Sequence, residues 1–340
     1  MNRVLLNTLY IQSQGAYVHL DHETLKVELE QETRLQVPLH HLGGVAVFGQ
    51  VMVSPFLVHK LAEEGKDLIY FTAKGRFRAR MLSATSGNVL LRRAQHHTLD
   101  NPVAQLELAR AFVLGKIKNA RYVLQRAKRE EPERLGDINA AVNELARLLN
   151  DAESAQDIDI LRGVEGMSAA CYFQHFGRLI GAKGFSFNGR NRRPPRDPTN
   201  ALLSFIYALL TNDVASALEG AGVDPQVGYL HALRPGRLSL ALDLMEEFRP
   251  WLADRLALSL INRRQISTGD FEFKPGGSVF LAESGRKKVL VAYQQRKQEE
   301  LAHPLYKQKV PVGLLWHVQA RLLARVLRGD VERYVAYSPR

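Results

Sequence analysis

The periodicity of the apolar residues changes once along the chain, and that change restricts the fold more than any other feature. Up to about residue 85 the apolar residues come in short, partly alternating runs: Arg3–Tyr10, Ala16–Leu20, Leu25–Leu29, Arg34–Pro38 and Val45–Phe48. A period of two buries one face of a strand, and Gly, His-Glu or Glu-rich turns separate these runs. One helix is predicted among them at Ser54–Glu64, with Ser54 as N-cap, Pro55 at the first helical position and Gly65 just past the end. Strands at Asp67–Thr72 and Arg76–Met81 follow, joined through Lys74-Gly75. From Ser86 onward the spacing is helical. Candidates are Asn101–Lys128, Asp137–Leu149, Ala155–Ile180, Pro198–Leu218, Arg237–Asn262, Arg286–Ala302 and Leu314–Leu327. Phe185–Asp197, rich in Asn, Arg and Pro, reads as a mobile loop, and Phe271–Leu281 as strand-turn-strand. The expected class is α+β: a small, mostly antiparallel β domain over residues 1–85, then a larger all-α domain over 86–340. A length of 340 residues suits two domains at about 150 residues each.

Charge follows the same division. The chain has 46 Lys and Arg against 35 Asp and Glu, a net +11. Residues 1–67 hold five basic and eight acidic side chains, net −3, so the remainder carries +14. A polyanion is therefore expected on the later part. Hydrophobic content of 46% and charged content of 24% exclude a wholly disordered or fibrous chain. The single cysteine, Cys171, excludes a disulfide framework and a Cys-rich zinc site, and suits a reducing cytoplasm. No run of 18 apolar residues occurs, so no membrane span is expected. There is no GxxxxGK[ST] loop, no GxGxxG after a strand and no GxSxG.

Three fragments of the basic part carry acids or imidazole. Asp243 and Glu246 lie three apart in RLSLALDLMEEFRP, hence on one helix face. Such a pair either faces a protein-lined pocket, or faces solvent or pairs with Arg237 or Arg249. His231 ends Gly228-Tyr229-Leu230-His231 just upstream; it is either an ordinary loop histidine or folds back over that acidic face. Glu165 sits between Gly163 and Gly166 in RGVEG. Glycine inside a helix costs about 1 kcal/mol, so two of them point to a close approach beside Glu165 or to simple helix packing. Oxygen donors with one imidazole suit Mg²⁺ or Mn²⁺ better than zinc. In a basic chain such a site points to phosphodiester chemistry. Three basic patches supply the phosphate contacts: Arg190, Arg192, Arg193 and Arg196 after Lys183; Lys74, Arg76, Arg78 and Arg80 at strand spacing; and Arg286, Lys287 and Lys288, with Arg296 and Lys297 beyond.

At these residues the sequence resembles the CRISPR-associated integrase family, the DNA-joining subunit of the spacer-acquisition complex. RGVEG, GYLH and SLALDLMEEFRP come in order with suitable gaps, Asn200 in DPTNALLSFIYALL fits the intervening segment, and the long last motif looks most like the type I-C branch. The resemblance implies Glu165, His231 and Glu246 as ligands of Mg²⁺ or Mn²⁺ and Asp243 as an adjacent active-site acid, although many members carry Asp at the position of Glu246. It also implies a homodimer through the β domain and a small ferredoxin-like partner subunit bridging two dimers. The implied reaction is attack by the 3′-hydroxyl of a short double-stranded DNA fragment on the CRISPR repeat, with cleavage of branched DNA at the same site. A structure-specific repair nuclease and a non-catalytic nucleic-acid-binding protein are the rival readings.

Overall fold

The computed structural model describes residues 7–81, 89–135, 138–305 and 307–339. The expected boundary at 85/86, the helix start at Asp137 and the first half of the Arg3–Tyr10 run lie outside them. The strand-rich first part and helical second part are as the periodicity predicts. The first part contains β1 (Thr8–Ile11), β2 (Tyr17–Asp21), β3 (Thr24–Leu29), β4 (Glu32–Pro38), β5 (Gly44–Phe48), β6 (Met52–Val53), α1 (Pro55–Glu63), β7 (Asp67–Phe71) and β8 (Phe77–Met81). They form two four-stranded sheets, β4-β3-β2-β6 and β1-β5-β7-β8.

The expected antiparallel ladders are present, and parallel ones stand beside them. The pairs β2·β3, β3·β4 and β7·β8 are antiparallel, whereas β1·β5, β5·β7 and β2·β6 are parallel. Helix α1 lies in the connection from β5 to β7 and lets the chain re-enter the sheet in the direction of β5, which a hairpin cannot do; β1·β5 and β2·β6 are parallel because intervening strands of the other sheet separate their members. Ser54 accepts from Leu57 N–H at 3.2 Å and caps α1 as predicted.

Strand β5 explains how the halves join. Every residue of it is buried. Val45 and Val47 enter a core with Val18, Leu25, Leu57 and Leu61, while Ala46 and Phe48 enter the large core of the helical part. A parallel strand covered on both faces reads as a continuous apolar run, as GVAVF does. On the helical side the Phe48 ring meets Phe71 at 4.8 Å and Phe205 at 6.3 Å. Gly75, at φ +81°, leaves room for the same Phe205, which a Cβ would meet at 2.3 Å.

The second part contains α2 (Val89–Asp100), α3 (Pro102–Glu130), α4 (Asn139–Ser154), α5 (Ile158–Phe176), α6 (Pro198–Gly220), α7 (Ser239–Met245), α8 (Arg255–Asn262), α9 (Glu283–Gln298) and α10 (Val312–Leu327). It is not all-α. Phe271–Phe273 (β9) pairs with Val279–Leu281 (β10), the expected strand-turn-strand, and Glu300–Ala302 (β11) pairs with Lys309–Pro311 (β12). Asn101 and Asp197 cap α3 and α6, each followed by a proline with no N–H to lose. Helix α6 is long and apolar enough to cross a bilayer, but 67% of its apolar window is buried, as a core helix requires.

Two further expectations change. Arg237–Asn262 is not one helix: α7 ends at Met245, a wide π-type turn covers Arg249–Asp254, and α8 follows. Pro250 cannot donate to residue 246, and its ring would collide with that carbonyl, so the helix opens there. Phe185–Asp197 is pinned rather than loose. Asn200 accepts from Arg190 at 2.6 Å and from Asn191 N–H at 3.1 Å, and donates to the Gly189 carbonyl at 2.9 Å.

Candidate active site

A cavity of about 130 Å³ opens in the helical part, with Lys116, Glu165, Arg190, His231, Glu246 and Arg249 on its walls. Three separate elements bring the predicted acids and imidazole there: α5 supplies Glu165, the segment before α7 supplies His231, and the opened end of α7 supplies Glu246.

Asp243 is not on the cavity wall. It is fully buried behind His231. Oδ2 accepts the N–H groups of Tyr229 (2.6 Å) and Leu230 (3.0 Å), and Oδ1 accepts His231 N–H (3.0 Å) and lies 2.6 Å from His231 Nδ1. The expected return of the imidazole over the acidic face is therefore realised. Four donors on one carboxylate fix the GYLH backbone and hold a proton on Nδ1, which leaves Nε2 as the nitrogen with a lone pair. A Cβ at Gly228 would lie 2.8 Å from Asp243 Oδ2, so glycine is what lets this backbone close on the acid. Arg162, from RGVEG, braces the same segment through the Leu230 carbonyl at 2.8 Å.

Glu246, 1% exposed, does what both sequence readings allowed: it faces the pocket and pairs with Arg249, at 2.7 Å. Its Oε2 lies 2.9 Å from Lys116 Nζ, and the same ammonium also bonds Glu165 Oε1. Burial opposes ionisation of Glu246, but Arg249, Lys116 and His231 outweigh it and hold the carboxyl down at about 2. Burial likewise opposes the charge on Lys116, and Glu246 and Glu165 overcome it, so its pKa is raised. Sequence reasoning missed this lysine. Its signal was a single Lys on the apolar face of α3, among the buried Phe112, Val113, Ile117 and Ala120.

The aromatic side of the cavity was also missed. Tyr207 on α6 lies 5.2 Å from both the Arg190 and Arg249 guanidinium carbons, and its hydroxyl donates to Asp254 at 2.5 Å. Burial pushes Asp254 up to about 7, against the Tyr207 hydrogen bond and the two arginines.

Gly163 and Gly166 meet nothing: a Cβ at either has no neighbour within 4 Å. The close approach predicted for them is not made within the chain, and both lie on the exposed side of α5. Among the basic residues, Arg192 is exposed and lines the cavity, and Arg193, Arg196, Arg76, Arg78 and Lys287 are exposed. Arg190 turns inward to Asn200 and Ser204. Arg286 is withdrawn as a DNA contact: it is 6% exposed and donates to the Leu281 carbonyl at 2.7 Å. Its place in the first turn of α9 points it at the β10 end rather than at solvent. Lys288 is half exposed but already paired with Asp270 at 2.7 Å, and Arg80 is paired with Glu219.

Among the described residues no three His, Cys, Asp or Glu side chains converge closely enough to hold a metal as they stand. The cation that Glu165 and Glu246 meet is the Lys116 ammonium. Two carboxylates sharing one positive charge, with an imidazole on the same cavity, form a donor set suited to a hard divalent ion.

Residues 9–295 match the family model for CRISPR associated protein Cas1. The chain belongs to the Cas1 family. It is 49% identical to CRISPR-associated endonuclease Cas1 1 of Moorella thermoacetica over 99% of each chain. It is 48% identical to a Cas1 endonuclease of Rhodospirillum rubrum over 97% of each. Among solved structures, a Cas1 protein of Thermotoga maritima superposes with a TM-score of 0.82 at 25% identity, over 98% of this chain and 100% of that one. A casposase bound to its integration product shares the fold at a TM-score of 0.86 and 22% identity, over 97% of this chain and 92% of that one.

Proposed function

We propose that this Cas1-family chain is a Mg²⁺- or Mn²⁺-dependent DNA integrase and endonuclease of CRISPR adaptation. It joins the 3′-hydroxyl ends of short double-stranded DNA fragments to the CRISPR repeat by transesterification, and cleaves branched DNA at the same site. The observation that carries the reading is the meeting of Glu165, His231 and Glu246, from three elements, on one cavity whose rim is arginine. Its Cas1 relatives are named endonucleases, which supports the same chemistry. Glu165, His231 Nε2 and Glu246 would hold the ion. When bound, a divalent ion activates the attacking hydroxyl and offsets charge on the leaving oxygen. Asp243 is a positioning residue: it keeps the proton on His231 Nδ1 and the GYLH backbone in place. Arg192 and Arg249 present guanidinium groups to a phosphate, and Arg193 and Arg196 extend that surface outward.

The partners belong to the same proposal. A second copy pairs through the strand-rich half, where Met52 is 65% and Phe56 78% exposed. A small ferredoxin-like Cas2 subunit bridges two such dimers; a structural neighbour with a TM-score of 0.81 belongs to a Cas6-RT-Cas1–Cas2 complex. The assembly works in the cytoplasm.

The test uses a labelled duplex fragment, repeat-containing DNA and branched DNA without a repeat. His231→Ala and Glu165→Gln should each lower joining by a factor of about 100 or more while DNA binding stays near wild type. Joining that survives both substitutions overturns the site. Cleavage of branched DNA without insertion at a repeat border would favour a repair nuclease.

A further inference from the structure

We propose that Lys116 is an internal counter-ion of this site: its ammonium holds Glu165 and Glu246 together until a divalent ion takes them over. Lys116 thereby sets the ion concentration at which the site loads. The inference rests on the metal assignment made above.

The geometry is specific. One buried ammonium bonds Glu165 Oε1 on α5 and approaches Glu246 Oε2 to 2.9 Å beyond α7. Without it, two carboxylates from different helices would face each other across a cavity with nothing between them to offset their like charges. Glu246 keeps a second partner, Arg249 at 2.7 Å, so an incoming ion that displaces the lysine leaves neither oxygen of Glu246 without a positive neighbour. The backbone of α3 cannot retreat to make room. At the preceding residue, Gly115, a Cβ would lie 2.5 Å from that of Ala336 and 3.2 Å from that of Glu247, so the helix is already in close contact there. Displacement is thus a side-chain movement, and the ammonium it releases lies on the wall of the same cavity.

A neutral side chain of similar length removes the competitor. Mn²⁺ binding to the full-length chain should be followed by titration calorimetry and by the electron paramagnetic resonance of the free ion, for wild type, Lys116→Met and Lys116→Arg. Lys116→Met should bind Mn²⁺ about tenfold more tightly, equivalent to about 1.4 kcal/mol. It should also melt below wild type in EDTA and recover on addition of Mn²⁺. Lys116→Arg, which keeps the charge and can fork to both carboxylates, should bind no more tightly than wild type, and this arm stands even if the methionine variant folds poorly. Equal or weaker binding by Lys116→Met, or tighter binding by Lys116→Arg, overturns the proposal. Glu165→Gln separates the two levels. If it abolishes Mn²⁺ binding while Lys116→Met changes nothing, only the lysine's role falls. If Mn²⁺ binds Glu165→Gln as it binds wild type, the metal assignment falls with it.

Discussion

Asp243→Asn exchanges one oxygen for an NH₂ group, and the surroundings of Asp243 turn that small change into a large one. Oδ2 faces two donors, Tyr229 N–H at 2.6 Å and Leu230 N–H at 3.0 Å, in a fully buried place. An amide nitrogen there leaves both without an acceptor, at about 1–3 kcal/mol each, so about 2–6 kcal/mol in all. The amide can instead flip. Its nitrogen then faces His231 N–H, at 3.0 Å from Oδ1, and His231 Nδ1, at 2.6 Å. One backbone donor is orphaned, and Nδ1 becomes an acceptor, which forces the proton to Nε2 and removes the lone pair that the proposed metal site requires. Both orientations are costly, one in stability and the other in stability and metal binding together. At about 2.1 cal/mol/K per residue, a kcal/mol is worth about 1.4 °C in a chain of 340 residues, so the melting midpoint should fall by about 3–8 °C in the first orientation. Thermal melts in EDTA combined with Mn²⁺ titration would distinguish the two. A midpoint within about 2 °C of wild type together with unchanged Mn²⁺ affinity would refute the reasoning.

Three further predictions concern acidity and charge. Burial raises Asp254 to about 7. The unfolded chain therefore ionises it first, and stability is lost as pH rises from about 4 to 7, by something of order 4 kcal/mol at about 1.4 kcal/mol per unit. Asp254→Asn should flatten that part of the pH profile of the melting midpoint; parallel profiles for variant and wild type would contradict it. Arg192→Ala should lower the slope of log affinity for DNA against log salt by about one. Arg286→Ala, which removes a buried donor to Leu281, should instead lower the melting midpoint and leave the slope unchanged.

Where the sequence was legible, the signal was local. Ser54-Pro55, Asn101-Pro102 and Asp197-Pro198 each pair a side-chain acceptor with a residue that needs none, and each starts a helix. The β3–β4 hairpin was recognisable from its flanks alone. Its turn, Glu30-Gln31, puts both residues at positive φ, a geometry usually signalled by Asn-Gly. The acids of the site were legible as a spacing, but their division of labour was not. Asp243 and Glu246 share a helical face on paper. Pro250 opens that helix, and burial then sends one acid behind the imidazole and the other into the cavity. Lys116 was invisible for a different reason: a lysine on an apolar stripe declares its burial only through partners that lie 49 residues or more away in sequence. Arg286 shows the converse, a charge in a basic run that tertiary packing removes from the surface.

Strand β5 forms a party wall between two rooms. Its alternate residues belong to different cores, so no cut can be made there that spares either side. A substitution intended to disturb only the amino-terminal half, such as Phe48→Ala, would be felt by Phe205 on α6, the helix that also carries Asn200 and Tyr207. Genetic screens on such a chain would find lesions far from the cavity that nonetheless abolish activity. The distance between the cavity and the strand-rich surface is accordingly a fixed dimension of the molecule, a ruler built into its core.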